Sequence, residues 1–257
     1  MGSPVKQRIC EAFDAASAYD DHAMVQRQVA AEVARRILAL PPRPRVLEIG
    51  CGTGLLAAAV GGALADADWL MTDIAPAMVA RSRLRFAGDP RFRFALLDGE
   101  EPEGAGGPFD LVCSSLAVQW FQRPEQSLLR LFRLLRPGGR LIFSTLADGT
   151  FAEWRSAHEA LGLAPGTPAF LAGDHLASIR LDGCTGSFDF ETVRAAYPDA
   201  ASFLRALRGI GAQTPNIGHR PLPPSAIRAV MRRFEEAGAV ATYRVAHGCF
   251  TRPAGAS

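Results

Sequence analysis

The sequence predicts an α/β fold built on a doubly wound, mainly parallel sheet. Three observations carry that reading. From Arg45 onward, short apolar runs alternate with helical stretches. One of those runs, Val46–Gly50, enters a glycine-rich turn that opens a helix. The connections between successive strands are long enough for the helical crossovers that parallel pairing requires. With 257 residues, and roughly 100–200 residues per domain, the chain allows one large domain or one with an inserted cap.

Taken in order, residues 18–40 read as helix. Val29, Val33, Ile37 and Leu40 recur on one apolar face, and Pro41 and Pro42 end it. Val46–Gly50 is a short strand, followed by an alanine-rich helix from Leu55 to about Ala65. Trp69–Ile74 is the next strand, and Pro76 opens a helix at its first position, where a missing N–H does no harm. Arg91–Leu97 alternates Phe92, Phe94 and Leu96 on one face. Phe109–Ser115 is a buried strand and Glu125–Leu135 a helix, after which Arg136-Pro-Gly-Gly-Arg140 turns into the strand Leu141–Leu146. Residues 147–185 break the rhythm with a helix near Phe151–Leu161 and a Pro/Gly-rich loop, as an insertion or lid would. Ser187–Tyr197 resumes the alternation. Asp199 caps a helix that stops at Gly209-Ile-Gly211. Ser225 caps the last helix, with Ile227, Val230, Met231 and Phe234 inward, and Tyr243–Thr251 is the final strand.

Composition excludes several classes. Hydrophobic residues at 48% and charged residues at 21% exclude wholesale disorder. A net charge of +2 is far too small for a nucleic-acid-coating protein. Lys6 is the only lysine and the other basic residues are arginine. Cys10, Cys51, Cys113, Cys184 and Cys249 are odd in number and never spaced as a metal pair, so they read as reduced thiols of a cytoplasmic protein. The start, MGSPVKQRIC, has no apolar signal core, and no apolar run of about 18 residues occurs. The expectation is a soluble, unanchored chain.

The segment richest in chemistry is Val46-Leu-Glu-Ile-Gly-Cys-Gly-Thr-Gly54. Gly50, Gly52 and Gly54 at a strand-to-helix turn let the backbone approach a ligand where a Cβ would clash. The dinucleotide fingerprint G-x-G-x-x-G fails because position 55 is Leu, and no G-K-S/T follows, so this is not a phosphate-gripping loop. Glu48 points a carboxylate at the ligand site, which would repel a pyrophosphate and favour a cation. Asp73 ends the second strand, 19 residues after Gly54, where a carboxylate can take both ribose hydroxyls. Asp98, with Gly99 beside it, ends the third.

This order resembles the Rossmann-like, class I S-adenosylmethionine-dependent methyltransferases. The resemblance implies S-adenosyl-L-methionine as cofactor, S-adenosyl-L-homocysteine as product and no metal. It implies cofactor contacts from Tyr19, Gln28, Glu48, Gly50, Cys51, Gly52, Gly54, Asp73, Ile74, Met78, Asp98, Gly99, Ser115 and Leu116, with Asp98 reaching the adenine amino group. A dinucleotide or non-catalytic nucleotide fold is the alternative, and it leaves Asp73 and Asp98 unexplained.

Segments outside that core narrow the family. Lys6-Gln-Arg-Ile, Ala18-Tyr-Asp-Asp-His-Ala-Met-Val-Gln-Arg-Gln-Val-Ala30, Ser114-Ser-Leu-Ala-Val-Gln-Trp120, Ser144-Thr-Leu-Ala-Asp-Gly-Thr-Phe-Ala-Glu153 and Phe203-Leu-Arg-Ala-Leu-Arg-Gly-Ile-Gly-Ala212 resemble the malonyl-acyl-carrier-protein O-methyltransferases of biotin synthesis. The resemblance implies a single methyltransferase domain over 1–257, with a helical cap at 1–42 and a lid at 147–185. It also implies methyl transfer to the free carboxylate of a malonyl thioester on acyl carrier protein. Two alternatives are a methyltransferase of small free acids such as trans-aconitate, and a non-methylating assembly factor of the same fold.

A carboxylate acceptor is already ionised at neutral pH, so no general base is required. The sequence accordingly shows no catalytic acid/base constellation. Tyr19, Gln119 and Trp120 are the substrate-positioning candidates; Trp120 also reads as a core residue, Tyr19 as a packing residue and Cys51 as a tight-turn residue. His22, at an exposed helix start, is a weaker catalytic candidate. The resemblance implies an acidic carrier protein as partner, which a local basic patch drawn from Arg205, Arg208, Arg228, Arg232 and Arg233 would meet. The expectation is a monomer with neither nucleic acid nor membrane as partner.

Overall fold

The computed structural model describes residues 3–37, 40–212 and 220–254. The chain divides into two compact units, one of Gln26–Thr145, Gly173–Asp189 and Ala246–Ser257, the other of Met1–Val25, Leu146–Ala172 and Phe190–Val245. The segment 147–185 is therefore shared, its first part in one unit and the rest in the other.

The elements in chain order are α1 (Pro4–Asp14), α2 (Tyr19–His22), α3 (Met24–Arg36), β1 (Arg45–Ile49), α4 (Leu55–Val60), β2 (Asp68–Asp73), α5 (Pro76–Arg85), β3 (Phe92–Leu96), β4 (Phe109–Ser114), α6 (Pro124–Arg133), β5 (Leu135–Leu146), α7 (Ala152–Glu159), α8 (Gly173–Ser178), β6 (Arg180–Leu181), β7 (Cys184–Thr185), β8 (Ser187–Ala196), α9 (Ala200–Gly209), α10 (Pro224–Glu236) and β9 (Val240–Thr251). Seven strands form one sheet in the order β3-β2-β1-β4-β5-β9-β8. Pairing is parallel from β3 through β5. The predicted doubly wound sheet is thus present.

The first unit owes its core to strands with both faces covered. Val46, Leu47, Met71, Leu111, Val112, Cys113, Leu141, Ile142 and Phe143 are all buried, as are Val29 and Val33 of α3. One expectation changes here. The residues 136–139 do not form a turn ahead of a strand: β5 already starts at Leu135, and its pairing steps from Phe109↔Leu135 to Leu111↔Arg140. The four residues Arg136-Pro-Gly-Gly thus bulge out opposite Asp110. Gly139 fits because a Cβ there would lie 2.9 Å from two carbonyl oxygens. On the face that alternates Phe92, Phe94 and Leu96, the first two are half-buried and Leu96 is 58% exposed, β3 being the sheet edge that pairs with β2 alone. Phe92 stacks on Phe86 with centroids 4.2 Å apart.

The helix expected over 18–40 is interrupted. Ala23 is non-helical between α2 and α3, and α3 ends at Arg36, ahead of Pro41 and Pro42. Residues 38–39 lie outside the described residues. α1, which the sequence reading missed, is capped by Ser3, whose hydroxyl accepts the Lys6 N–H at 3.3 Å.

In the second unit, α7, α9 and α10 close on an aromatic cluster. Phe203 lies 5.1 Å from Phe234, 5.3 Å from Tyr197 and 5.4 Å from Trp154 between ring centroids. Asp199 caps α9 as expected, accepting the Ser202 N–H at 2.6 Å. Ser225 does not cap α10, which starts one residue earlier behind Pro223 with no side-chain cap. Among the described residues no helix is long and apolar enough to cross a membrane, and all five cysteines are free thiols.

Candidate functional site

The turn after β1 is dictated by backbone conformation. Gly50, Gly52 and Gly54 have φ of +65, +53 and +86°, a region that side chains disfavour. A Cβ at Gly50 would sit 2.4 Å from the Ala117 Cβ, and one at Gly54 would sit 2.5 Å from the Phe86 ring. Two of the three glycines are therefore demanded by the fold itself before any ligand is considered. The turn is closed by Cys51 N–H donating to the Thr72 carbonyl at 2.9 Å and Gly54 N–H donating to the Cys51 carbonyl at 2.8 Å.

Asp73, at the end of β2, ties this turn to the next one. Its Oδ2 accepts the Gly52 N–H and its Oδ1 the Ala75 N–H, each at 2.9 Å. Glu48, one strand over, is 1% exposed, and its Oε2 is buried with no hydrogen-bond partner. Burial, followed by repulsion from Asp73, pushes the Glu48 carboxyl up to about 8. Burial likewise raises the Cys51 and Cys113 thiols well above the usual range, which makes neither a nucleophile.

At the end of β3, Asp98 Oδ1 accepts the Glu100 N–H at 3.0 Å. Gly99 is required because a Cβ would meet Ile49 at 2.4 Å. Beyond β4, Leu116 is held at φ +52°, with its N–H on the Ser144 hydroxyl at 3.0 Å. Its carbonyl accepts the Gln119 side-chain N–H at 2.6 Å, leaving the Gln119 Oε1 buried without a partner. Two orphaned acceptors, Glu48 Oε2 and Gln119 Oε1, thus belong to the two segments that meet at Gly50 and Ala117. Turns with unpartnered acceptors suit a ligand that brings hydrogen-bond donors and positive charge.

Glu48, Gly50, Cys51, Gly52, Gly54, Asp73, Ile74, Met78, Asp98, Gly99, Ser115, Leu116, Gln119 and Trp120 all belong to the first unit, where the Gly52–Asp73 hydrogen bond and the Gly50–Ala117 approach join β1, β2 and the segment after β4. Met78 is buried there, and Ile74, Ser115 and Trp120 are half-buried. Gln28 is exposed on α3 of the same unit. Tyr19 is half-buried at the start of α2 in the other unit. His22 is not at an exposed helix start: it ends α2, half-buried, where a Cβ on Gly209 would strike its ring at 2.1 Å. Gly209 therefore accommodates His22.

Sequence reasoning missed two supporting residues. Glu100 is buried and its Oε1 accepts the N–H groups of Gln122 and Arg123, each at 2.9 Å, fixing the entry to α6. Ser144 sets the Leu116 turn. The Asp98-Gly-Glu100 run carried the only hint of the first, and nothing local marked the second. Of the arginines proposed as a patch, Arg205 and Arg233 already have carboxylate neighbours, Asp199 at 3.8 Å and Glu236 at 3.4 Å. Arg208 lines a cavity of about 360 Å³ walled by Phe151, Trp154, Leu204 and Leu207, while Arg228 and Arg232 are exposed. Among the described residues no group of three or more His, Cys, Asp or Glu side chains could hold a metal.

Comparison with known proteins agrees with this architecture. Residues 47–141 match the family model described as a methyltransferase domain. The chain is 45% identical over 250 residues to the biotin biosynthesis bifunctional protein BioCD of Bordetella avium, covering 96% of this chain and 53% of that protein, so it spans about half the bifunctional relative. It is 38% identical to the malonyl-[acyl-carrier protein] O-methyltransferase of Magnetococcus marinus, over 95% of this chain and 92% of that one. The Enterobacter lignolyticus protein of the same name is 34% identical, over 96% and 98%. Among solved structures, the YcgJ protein of Bacillus subtilis shares the fold with a TM-score of 0.62 at 14% identity, covering 88% of this chain and 99% of that one. A phosphoethanolamine N-methyltransferase of Haemonchus contortus, solved with S-adenosylhomocysteine, gives 0.59 at 16%, covering 98% and 61%.

Proposed function

The chain belongs to the malonyl-[acyl-carrier protein] O-methyltransferase family, and from that premise we propose that it transfers a methyl group from S-adenosylmethionine to the free carboxylate of a malonyl thioester on acyl carrier protein. The near-full-length match to relatives of that name carries the reading. The acceptor-rich turn supports it, because the cofactor brings an ammonium, ribose hydroxyls and an adenine amino group to Glu48, Asp73 and Asp98.

When bound, S-adenosylmethionine supplies an electrophilic methyl group on a cationic sulfur. Gly50, Cys51, Gly52 and Gly54 keep the turn open to it, and Glu48 answers its positive charge. Each Asp73 oxygen can accept a second hydrogen bond beyond its backbone amide, which suits a ribose diol. Ile74, Met78, Gly99, Ser115 and Leu116 complete the walls, and Gln119 and Trp120 position the acceptor. Roles for Tyr19 and Gln28 rest on the sequence resemblance. Because the malonyl carboxylate is ionised at neutral pH, the chain contributes alignment instead of proton transfer. Alignment of this kind is worth about 7–11 kcal/mol. Methylation hides a charge that an apolar elongation pocket would reject. The reading includes a cytoplasmic monomer.

Rescue of a biotin-requiring bacterium lacking this methyltransferase, paired with mass spectrometry of the carrier protein, tests it. Growth and a mass gain of one methylene on malonyl-carrier protein are expected. Methylation of free trans-aconitate with none on the carrier would overturn it.

A further inference from the structure

Glu48 is buried among groups that give its negative charge no support. Among the described residues, the ionisable side chains coupled to it are Asp73 at the end of β2, Cys51 in the turn and Cys113 opposite it on β4. None is a cation. Asp73 is committed to the Gly52 and Ala75 amides as an acceptor, and burial keeps both thiols protonated. The Glu48 Oε2 finds no donor. A carboxylate so placed is more stable as the neutral acid, and a cation brought alongside it reverses that preference.

We propose that Glu48 holds a proton in the ligand-free enzyme and releases it to solvent when the ammonium end of S-adenosylmethionine or S-adenosylhomocysteine arrives, so that cofactor capture is coupled to proton release. The inference rests on the cofactor reading above and adds to it a proton balance. The carboxyl O–H bond breaks, its electron pair stays on the Glu48 oxygen, and buffer takes the proton. Burial and Asp73 push this carboxyl to about 8, which brings the event into the working range. Below that pH the empty enzyme carries the extra proton, so affinity falls as pH falls. Release of one proton makes that slope about tenfold per pH unit while the complex keeps Glu48 ionised.

Calorimetric titration with S-adenosylhomocysteine near neutral pH, in phosphate and in imidazole buffer, reads the proton directly. The apparent enthalpy should differ between buffers by the difference in their ionisation enthalpies multiplied by about one proton. Methylthioadenosine, which lacks the ammonium, should bind with no such difference. Glu48→Gln should release no proton and show a flat affinity where the wild type is steep. Wild-type binding with a buffer-independent enthalpy and a flat pH profile would overturn the proposal and leave the cofactor reading standing. Absence of any S-adenosylhomocysteine binding by the folded wild type would sink both. The wild-type series decides the matter even where the Gln variant fails to fold.

Discussion

Backbone conformation governs the turn between β1 and α4, whereas side-chain volume governs the cluster of α7, α9 and α10. In the turn, three positive φ values and two near-contacts at 2.4 and 2.5 Å leave no room for a methyl group. In the cluster, Phe203 is enclosed by the rings of Phe151, Trp154, Tyr197 and Phe234, at 5.1–5.7 Å between centroids. The turn is therefore damaged by adding one carbon and the cluster by removing several. One region is specified by the absence of a side chain, the other by rings contributed from distant parts of the chain.

The comparison is broken most severely at its aromatic end. Phe203→Ala should lower stability by about 3–5 kcal/mol, the usual cost of emptying a buried phenylalanine site, as read by urea unfolding. A loss well below that would show that Trp154 and Phe234 can collapse into the space.

Adding a carbon to the turn comes next. Gly50→Ala combines an unfavourable φ with the Ala117 contact, at a cost of about 1–3 kcal/mol, and S-adenosylhomocysteine affinity should fall at least about tenfold. Pairing it with Ala117→Gly removes the contact and keeps the φ, so the double variant should recover part of the loss. Full recovery would mean that the contact alone mattered; none would assign everything to φ. Asp73→Ala removes the acceptor for the Gly52 and Ala75 amides together with the proposed ribose contacts. Hydrogen bonds to charged groups are worth about 1.5–3 kcal/mol, so calorimetry should show binding weakened by about tenfold or more. Unchanged affinity in a folded variant would remove Asp73 from the site.

These two regions also differ in how far the sequence disclosed them. The turn was legible because glycine spacing and the strand-end carboxylates are local signals: Glu48 and Asp73 are on the strands expected, and Asp98 lies two residues beyond the end of β3. Ser3-Pro4 was an equally local start signal for α1 and went unread. The break at Ala23, the bulge of Arg136-Pro-Gly-Gly and the exposure of Leu96 depend on partners elsewhere in the sheet or helix layer, which no periodicity encodes. The same holds for Phe203, whose ring neighbours come from three separate segments, around 151–154, 197 and 234. Ser225 is not a cap because α10 already starts at Pro224 behind Pro223, which places Ser225 inside the first helical turn. His22 looked exposed because Gly209, the residue that makes room for it, lies far along the chain.

The smallest expected effect separates the regions by pH. Asp199 caps α9 through the Ser202 N–H at 2.6 Å, and the Ser202 hydrogen bonds, with Arg205 adding less, hold its carboxyl below the usual carboxylate range. A carboxyl lowered on folding stabilises the fold above its unfolded value of about 4 and loses that contribution as pH falls through the folded value. Asp199→Asn keeps a capping side chain but cannot ionise. Its thermal midpoint should therefore lie slightly below the wild type at neutral pH and converge on it in acid. The gap between Gly50→Ala and wild type should stay constant over the acid range in ligand-free protein, because a methyl clash carries no proton. Thermal unfolding followed by circular dichroism from neutral to acid pH provides both curves. A gap for Asp199→Asn that persists undiminished in acid would show that the cap works through geometry and not charge, making α9 depend on shape as fully as the glycine turn does.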